Sequence, residues 1–375
     1  MMPINANLEP LRRSGIRVYT NMAKEVPGCV MLTLGEPDFP TPEPIKAAAT
    51  AALQRNMTHY APNQGCEDLR RAIAAYEGVS EEQVLVTVGA TGAIYTALTG
   101  ILNPGDEVIV PYPAFSLYDT ITTAAGGKTV RLDTAKTDFQ ITKPALNAAI
   151  SPKTKVIVLN SPNNPTGSIY SEESLAAVKE AVLGKDIYVL CDNVYDRLAY
   201  EACPDLSHDP ELQEQILLCQ SFSKPWAMTG WRVGYLVAPR QLIGKLLLLH
   251  AAEVAAVPTF LQAACVTALQ TEVSAMREAY RARRDYVLSR LTGMGLRCPK
   301  PAGAFYAFAD ISAYGLPSDE FCTRLIREGK VAAVPGSCFG ADGFIRISYC
   351  CSMENLKTGL DRLEAFIQTI KNAAG

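Results

Sequence analysis

The sequence predicts an α/β protein: a large domain built on a seven-stranded, mostly parallel sheet sandwiched by helices, plus a smaller α+β domain. Three observations predict it. Seven short apolar, β-branched runs lie at 83–88, 107–110, 128–132, 155–160, 187–191, 216–219 and 233–237. Helical stretches, among them 92–102 and 171–183, separate most of them, and that alternation is the pattern of a parallel sheet covered on both faces. At 375 residues the chain is too long for one ordinary core, and beyond residue 258 the alternation gives way to long helices and scattered strands. The expected division is a large domain over 36–270 and a small domain made of 1–35 and 271–375.

In chain order, Leu11, Ile16, Tyr19 and Met22 keep a helical period that stops at Pro27-Gly28. A short strand at 30–34 runs into Gly35-Glu36-Pro37-Asp38-Phe39-Pro40-Thr41-Pro42, a loop that three prolines hold extended. Helices follow at 43–55 and 67–76, separated by a loop at 58–65 that contains Tyr60. After the seven strands, 258–291 has no interior proline and carries arginines on one side, which predicts one long helix leaving the large domain. The small domain then continues through 303–309, a helix at 318–328, a turn at 334–337, a strand at 344–349 and a last helix from 353.

Bulk properties narrow the function. Hydrophobic residues at 48% and charged residues at 19% describe a globular chain without disordered tails. A net charge of −3 without a long basic run argues against nucleic acid as the partner. Eleven cysteines show no C-x-x-C pair, which suggests free thiols in a reducing compartment. Three scattered histidines, His59, His208 and His250, argue against a histidine metal site or a Ser-His-Asp triad. With no basic-then-apolar leader and no run of 18 apolar residues, the expectation is a soluble cytoplasmic protein with no membrane partner and no metal.

Chemistry-bearing residues stand at the carboxyl ends of the strands, where α/β proteins bind ligands. Lys224 lies in Ser221-Phe222-Ser223-Lys224, with Arg232 after Gly230. Such a lysine can condense with an aldehyde, and two hydroxyls with a guanidinium suit a phosphate, so the stretch fits pyridoxal phosphate. A surface lysine in a serine-rich loop is the plain alternative. Gly89-Ala90-Thr91-Gly92 opens a helix and forms an anion site, though such turns are common. Phe115 is placed to stack on a ring or to sit in the core. Asn164 lies in the rigid turn Ser161-Pro162-Asn163-Asn164-Pro165-Thr166-Gly167. Asp192 leaves a buried strand as a partner for a pyridinium nitrogen or as a helix cap, with Tyr195 three residues on. Arg346, inside the apolar strand Phe344-Ile345-Arg346-Ile347-Ser348, requires an anionic or polar partner, either a substrate carboxylate or a structural one.

Taken together, Asn163-Asn164-Pro165-Thr166-Gly167, Asp192-x-x-Tyr195 and Ser221-x-Ser223-Lys224-x-x-x-x-x-Gly230-x-Arg232-x-Gly234 resemble the class I/II aminotransferases, the fold-type I pyridoxal phosphate enzymes. The likeness runs from Gly35-Glu36-Pro37-Asp38-Phe39 to the final helix. It implies that Lys224 holds the cofactor as a Schiff base and shuttles the proton, and that Asp192 pairs with the pyridinium nitrogen. It implies that Asn164 and Tyr195 bond the ring oxygen and that Phe115 stacks on the ring. Ala90, Thr91, Ser221, Ser223 and Arg232 would hold the phosphate, while Gly35, Asn164 and Arg346 would clamp the substrate carboxylate. Tyr60, in Tyr60-Ala61-Pro62-x-x-Gly65, matches a tyrosine given by a neighbouring subunit, which implies a homodimer. The implied reaction moves the amino group of an L-amino acid to a 2-oxo acid. A Cys–S β-lyase shares these residues, and a non-catalytic effector-binding protein is a rival of another class that retention of Lys224, Asp192 and Arg346 opposes. No G-x-G-x-x-G follows a strand, which opposes a Rossmann oxidoreductase. Two departures stand out: Ala90-Thr91 replaces a more polar pair, and Phe115 lacks the polar handle of tyrosine or tryptophan. Arg12, Arg13 and Arg17 lie on a segment that closes over the site in relatives, though a solvated helix face would look the same.

Overall fold

Twelve strands are present in the structure, a computed structural model that describes Met2 and residues 4–374: β1 (Val30–Met31), β2 (Val84–Thr87), β3 (Glu107–Tyr112), β4 (Lys128–Asp133), β5 (Thr154–Asn160), β6 (Tyr188–Asp192), β7 (Ile216–Ser221), β8 (Gly234–Val237), β9 (Tyr306–Asp310), β10 (Val331–Ala332), β11 (Val334–Pro335) and β12 (Phe344–Ser348). Met1, Pro3 and Gly375, which fall in the expected small-domain span, lie outside the described residues. The seven expected strands form one sheet in the order β2-β8-β7-β6-β5-β3-β4. From β4 to β7 all neighbours are parallel, while β8 is antiparallel to both β7 and β2. Strand β2 therefore points the same way as β7 and ends at the same edge.

Alternation with period two divides each strand's side chains between the two faces. Leu85, Val108, Val110, Val156, Val158, Leu190 and Leu217 pack on one face with the helix Gly89–Ile101. Val84, Val86, Ile109, Ile157, Leu159, Val189 and Leu218 pack on the other with the helices Glu172–Val182 and Thr259–Leu269. Both faces are dry, so polar side chains concentrate at the strand ends. There the register sets Asn160 opposite Asp192, and Ser221 opposite Gly234. A third core joins Tyr19 and Leu32 from the N-terminal part to Tyr280, Phe305, Ile345 and Leu360, with Tyr195 and Tyr200 at its border. Its sheet, β11-β12-β9, is antiparallel and holds Arg346 on the central strand.

Three expectations are corrected. The N-terminal helix is Gly15–Lys24, and Leu11 precedes it, because Pro10 and the Ser14-Gly15 pair interrupt the helical period. The strand expected at 30–34 stops at Met31. Beyond it Leu32 donates to the Ala332 carbonyl and accepts from the Ser348 amide, so the chain passes from β10 to β12. The long helix expected at 258–291 is two helices, Thr259–Leu269 and Ser274–Gly293. The first tightens at its end, with the Gln270 and Thr271 amides bonded three residues back, and the Thr271 carbonyl accepts the Trp226 indole N–H at 3.0 Å.

Candidate active site

The strand ends enclose a cleft of about 270 Å³. Gly35, Ala90, Thr91, Phe115, Asn164, Asp192, Tyr195, Ser221, Ser223, Lys224, Arg232 and Arg346 all line it, as the sequence led us to expect. Tyr60 does not. It is 93% exposed and lies in a separate surface hollow beside His59 and Phe260.

Lys224 follows β7 by three residues, and its Nζ donates to the Gly35 carbonyl at 2.7 Å. Burial pulls its pKa down to about 8, with the Arg232 and Arg346 charges acting in the same direction. A fraction of this amine is therefore neutral near physiological pH, as a nucleophile or base must be.

Asp192, the last residue of β6, is buried at the floor. Its Oδ2 accepts from the Tyr118 hydroxyl at 2.6 Å, while Oδ1 makes no hydrogen bond of ordinary geometry among the described residues. Burial pushes its pKa up to about 6, and the Tyr118 hydroxyl and Val194 amide offset part of that rise. A buried carboxylate oxygen without a donor calls for a cationic N–H from a ligand. Asn160 fixes the surroundings: its Nδ2 donates to the Asp192 carbonyl and its Oδ1 accepts from the Asn164 amide, both at 2.9 Å.

Arg346 is 1% exposed and makes no salt bridge among the described residues. Its Nη1 donates to Asn164 Oδ1 at 2.9 Å and its Nη2 to the Thr33 carbonyl, while Nε has no partner among the described residues. The Tyr306 and Phe339 rings lie 4.6 and 4.9 Å from the guanidinium carbon. Neutral carbonyls and aromatic faces leave the positive charge uncompensated, so the site is built for an incoming anion. The Tyr306 hydroxyl is also 2.9 Å from that of Tyr195.

Another part of the cleft lining forms an anion cup. The helix Gly89–Ile101 opens there with its free amides and positive dipole end. Arg232, in the left-handed region at φ 56°, is held by its Nη1 bond to the Thr229 carbonyl at 3.0 Å. A Cβ on Gly89 would lie 2.8 Å from Arg232 Nη2, and one on Gly234 would lie 2.6 and 2.7 Å from Gly89 C and Ala90 N. Only glycines permit this approach. Ser221 Oγ accepts the Ser223 amide at 3.0 Å, and Phe115 meets Tyr118 edge to face at 6.4 Å between centroids. The donor set, orphan carboxylate and lysine thus fit a phosphorylated pyridine aldehyde.

Sequence reasoning missed Tyr118, Asn160, Tyr306 and Ile16, which also line the cleft. Tyr118 had one signal, its position one helical turn beyond Phe115. Among the described residues no cluster of metal-ligating side chains occurs, the eleven cysteines are free, and no helix is long and apolar enough to cross a membrane.

Comparison with known proteins bears directly on this geometry. Residues 27–363 match the family model for aminotransferase class I and II. The chain is 38% identical to a probable N-acetyl-LL-diaminopimelate aminotransferase of Bacillus subtilis, over 98% of each chain. It is also 38% identical to an aspartate/prephenate aminotransferase of Thermus thermophilus, over 96% of this chain and 93% of the relative. The solved aspartate aminotransferase of Thermus thermophilus with maleate superposes with a TM-score of 0.93 at 36% identity, covering 97% of this chain and all of that one. With model, relatives and fold in agreement over almost its whole length, the chain belongs to the class I and II aminotransferases, a family of pyridoxal phosphate enzymes.

Proposed function

We propose that the cleft binds pyridoxal phosphate and that Lys224, Asp192 and Tyr195 form the catalytic centre of an aminotransferase that moves the amino group of an L-amino acid to a 2-oxo acid. One observation carries the reading: a lysine with a lowered pKa, a buried carboxylate with an orphan oxygen and a buried unpaired guanidinium face the same cleft. Ala90, Thr91, Ser221, Ser223 and Arg232 are suited to the phosphate, Phe115 to the ring face, and Asn164 and Tyr195 to the ring oxygen. Bound there, pyridoxal phosphate supplies the electron sink that makes loss of the Cα proton feasible. Lys224 Nζ is the base within reach: it would take the Cα proton and carry it across to the cofactor side. With the cofactor bound, Asp192 would accept the pyridine N–H and, once charged, would keep that proton in place. Arg346, Asn164 and Gly35 orient the substrate by its α-carboxylate.

In this reading 36–270 is the cofactor-binding domain, with 1–35 and 271–375 as the small domain. The enzyme is a cytoplasmic homodimer in which Tyr60 reaches the neighbouring site. The relatives' names span aspartate, prephenate and an N-acetylated diamino acid, so the substrate side chain has to be read from this chain itself. Purified protein with added cofactor should absorb at the visible edge, and Lys224→Ala should abolish the borohydride-reducible adduct. Incubation with amino acids and 2-oxoglutarate should yield keto acid and glutamate. Ammonia with pyruvate would instead indicate β-elimination, and a protein that ignores the cofactor overturns the reading.

A further inference from the structure

A second, wider hollow of about 860 Å³ adjoins the cleft. The two share Phe115 and Leu117, and Ile16 of the cleft directly follows the Arg12-Arg13-Ser14-Gly15 wall of the hollow. Four cations line it, Arg12, Arg13, Lys128 and Arg131, against one carboxylate, Asp119. That carboxylate is already engaged by the Tyr112 hydroxyl and by Arg131 at 3.4 Å. Arg12 donates only to neutral acceptors, the Glu9 and Leu11 carbonyls at 2.9 and 3.1 Å. Lys128 comes no nearer than 3.8 Å to Glu107. Ser14, Thr120, Thr123 and Thr129 add hydroxyls to the same wall.

Nothing in the chemistry proposed above uses these cations. The phosphate has Arg232 and the α-carboxylate has Arg346, both on the cleft side of Phe115 and Leu117. A hollow whose net charge is positive concentrates anions. The cleft itself is small for a cofactor and an amino acid together, so a long side chain must leave it. Resting on the aminotransferase reading, we infer that the hollow receives the far end of the substrate. The substrate is then an amino acid whose side chain, longer than that of glutamate, ends in a carboxylate held by Arg12, Arg13 and Lys128.

The test uses the full chain reconstituted with pyridoxal phosphate and mixed in single turnovers with L-2-aminopimelate, L-2-aminoheptanoate or L-aspartate, following loss of the visible absorbance. The acidic seven-carbon donor should react about tenfold more efficiently than its neutral counterpart, as a charge-assisted contact implies. It should also outpace aspartate. The acidic-to-neutral ratio should collapse in the Arg12→Gln/Arg13→Gln double variant. In wild type it should collapse near 1 M salt, where screening reaches about 3 Å, an arm that does not depend on the variant folding. Equal use of the two long donors, a preference for aspartate, or a ratio that survives salt or substitution overturns the inference and leaves the aminotransferase reading standing. A chromophore that no donor bleaches overturns both.

Discussion

Asp192 pairs a buried position with an oxygen that makes no hydrogen bond of ordinary geometry among the described residues, and burial pushes its pKa up to about 6 from an ordinary 3.8. Between those values the folded chain holds a proton that the unfolded chain has released. Its contribution to stability is therefore fully present below about pH 3.8 and is lost as pH rises through 6. The loss is on the order of 3 kcal/mol. Cofactor-free Asp192→Asn should accordingly be more stable than cofactor-free wild type at pH 8, by roughly 1–3 kcal/mol in urea melts. The advantage should shrink by pH 5, and the variant should retain pyridoxal phosphate poorly. A variant less stable than wild type at pH 8 would mean that the carboxylate is satisfied without a ligand. Asp192 was legible in the sequence because it ends an apolar run three residues before Tyr195. Its partner Tyr118 was not, because that bond joins residues 74 apart and no local pattern records it.

The loop 35–42 acts as a strap between two bodies of the fold. On one side it is tied to the lysine loop: Lys224 Nζ donates to the Gly35 carbonyl at 2.7 Å, Thr229 Oγ1 to Glu36 Oε1 at 2.6 Å, and Thr41 Oγ1 to the Ala227 carbonyl at 2.7 Å. On the other side Arg283, from the helix Ser274–Gly293, grips Asp38 with two bonds of 2.7 and 2.9 Å, its guanidinium against the Phe39 and Tyr280 rings. The three prolines made the loop's extension readable; the Arg283 pairing, across 245 residues, was not. Asp38→Asn removes the charge and half the grip from a largely buried arginine. It should lower stability by about 2 kcal/mol, less than for a fully buried pair because Asp38 is partly exposed. Urea melts of wild type and variant check this, and equal midpoints would show that the strap is held without the pair. Gly234→Ala tests the phosphate end. Its Cβ would press on the backbone at Gly89 and Ala90, which cannot swing aside as a side chain can. The dissociation constant for pyridoxal phosphate should rise about tenfold in an absorbance titration, and unchanged binding would show that the junction can give way.

At the scale of the whole molecule, the large sheet was readable because strands buried on both faces must be apolar almost throughout, and all seven occur as expected. What escaped were arrangements that depend on distant partners. Val30 pairs with Val331 in β1 and β10, so the third core draws on both ends of the chain, and no periodicity announces such a meeting. The break at 270–273 has no proline or glycine, and within it the Thr271 carbonyl accepts the distant Trp226 indole N–H. Tyr60 is the remaining case: its motif marks it as functional, yet it is almost fully exposed and lines no part of its own cleft. If it serves the neighbouring subunit, the lesions Tyr60→Ala and Lys224→Ala should complement each other. In a mixed dimer one site then carries both lesions and the other neither. Each variant alone should be impaired, Lys224→Ala completely. Co-expressed chains isolated by two different affinity tags should recover roughly half of the wild-type turnover per dimer, since one of two symmetric sites is intact. Were Tyr60 to act on its own chain, or on nothing, every site with an intact lysine would still carry the Tyr60 lesion. Turnover in the mixed dimer would then not exceed half that of the Tyr60→Ala homodimer.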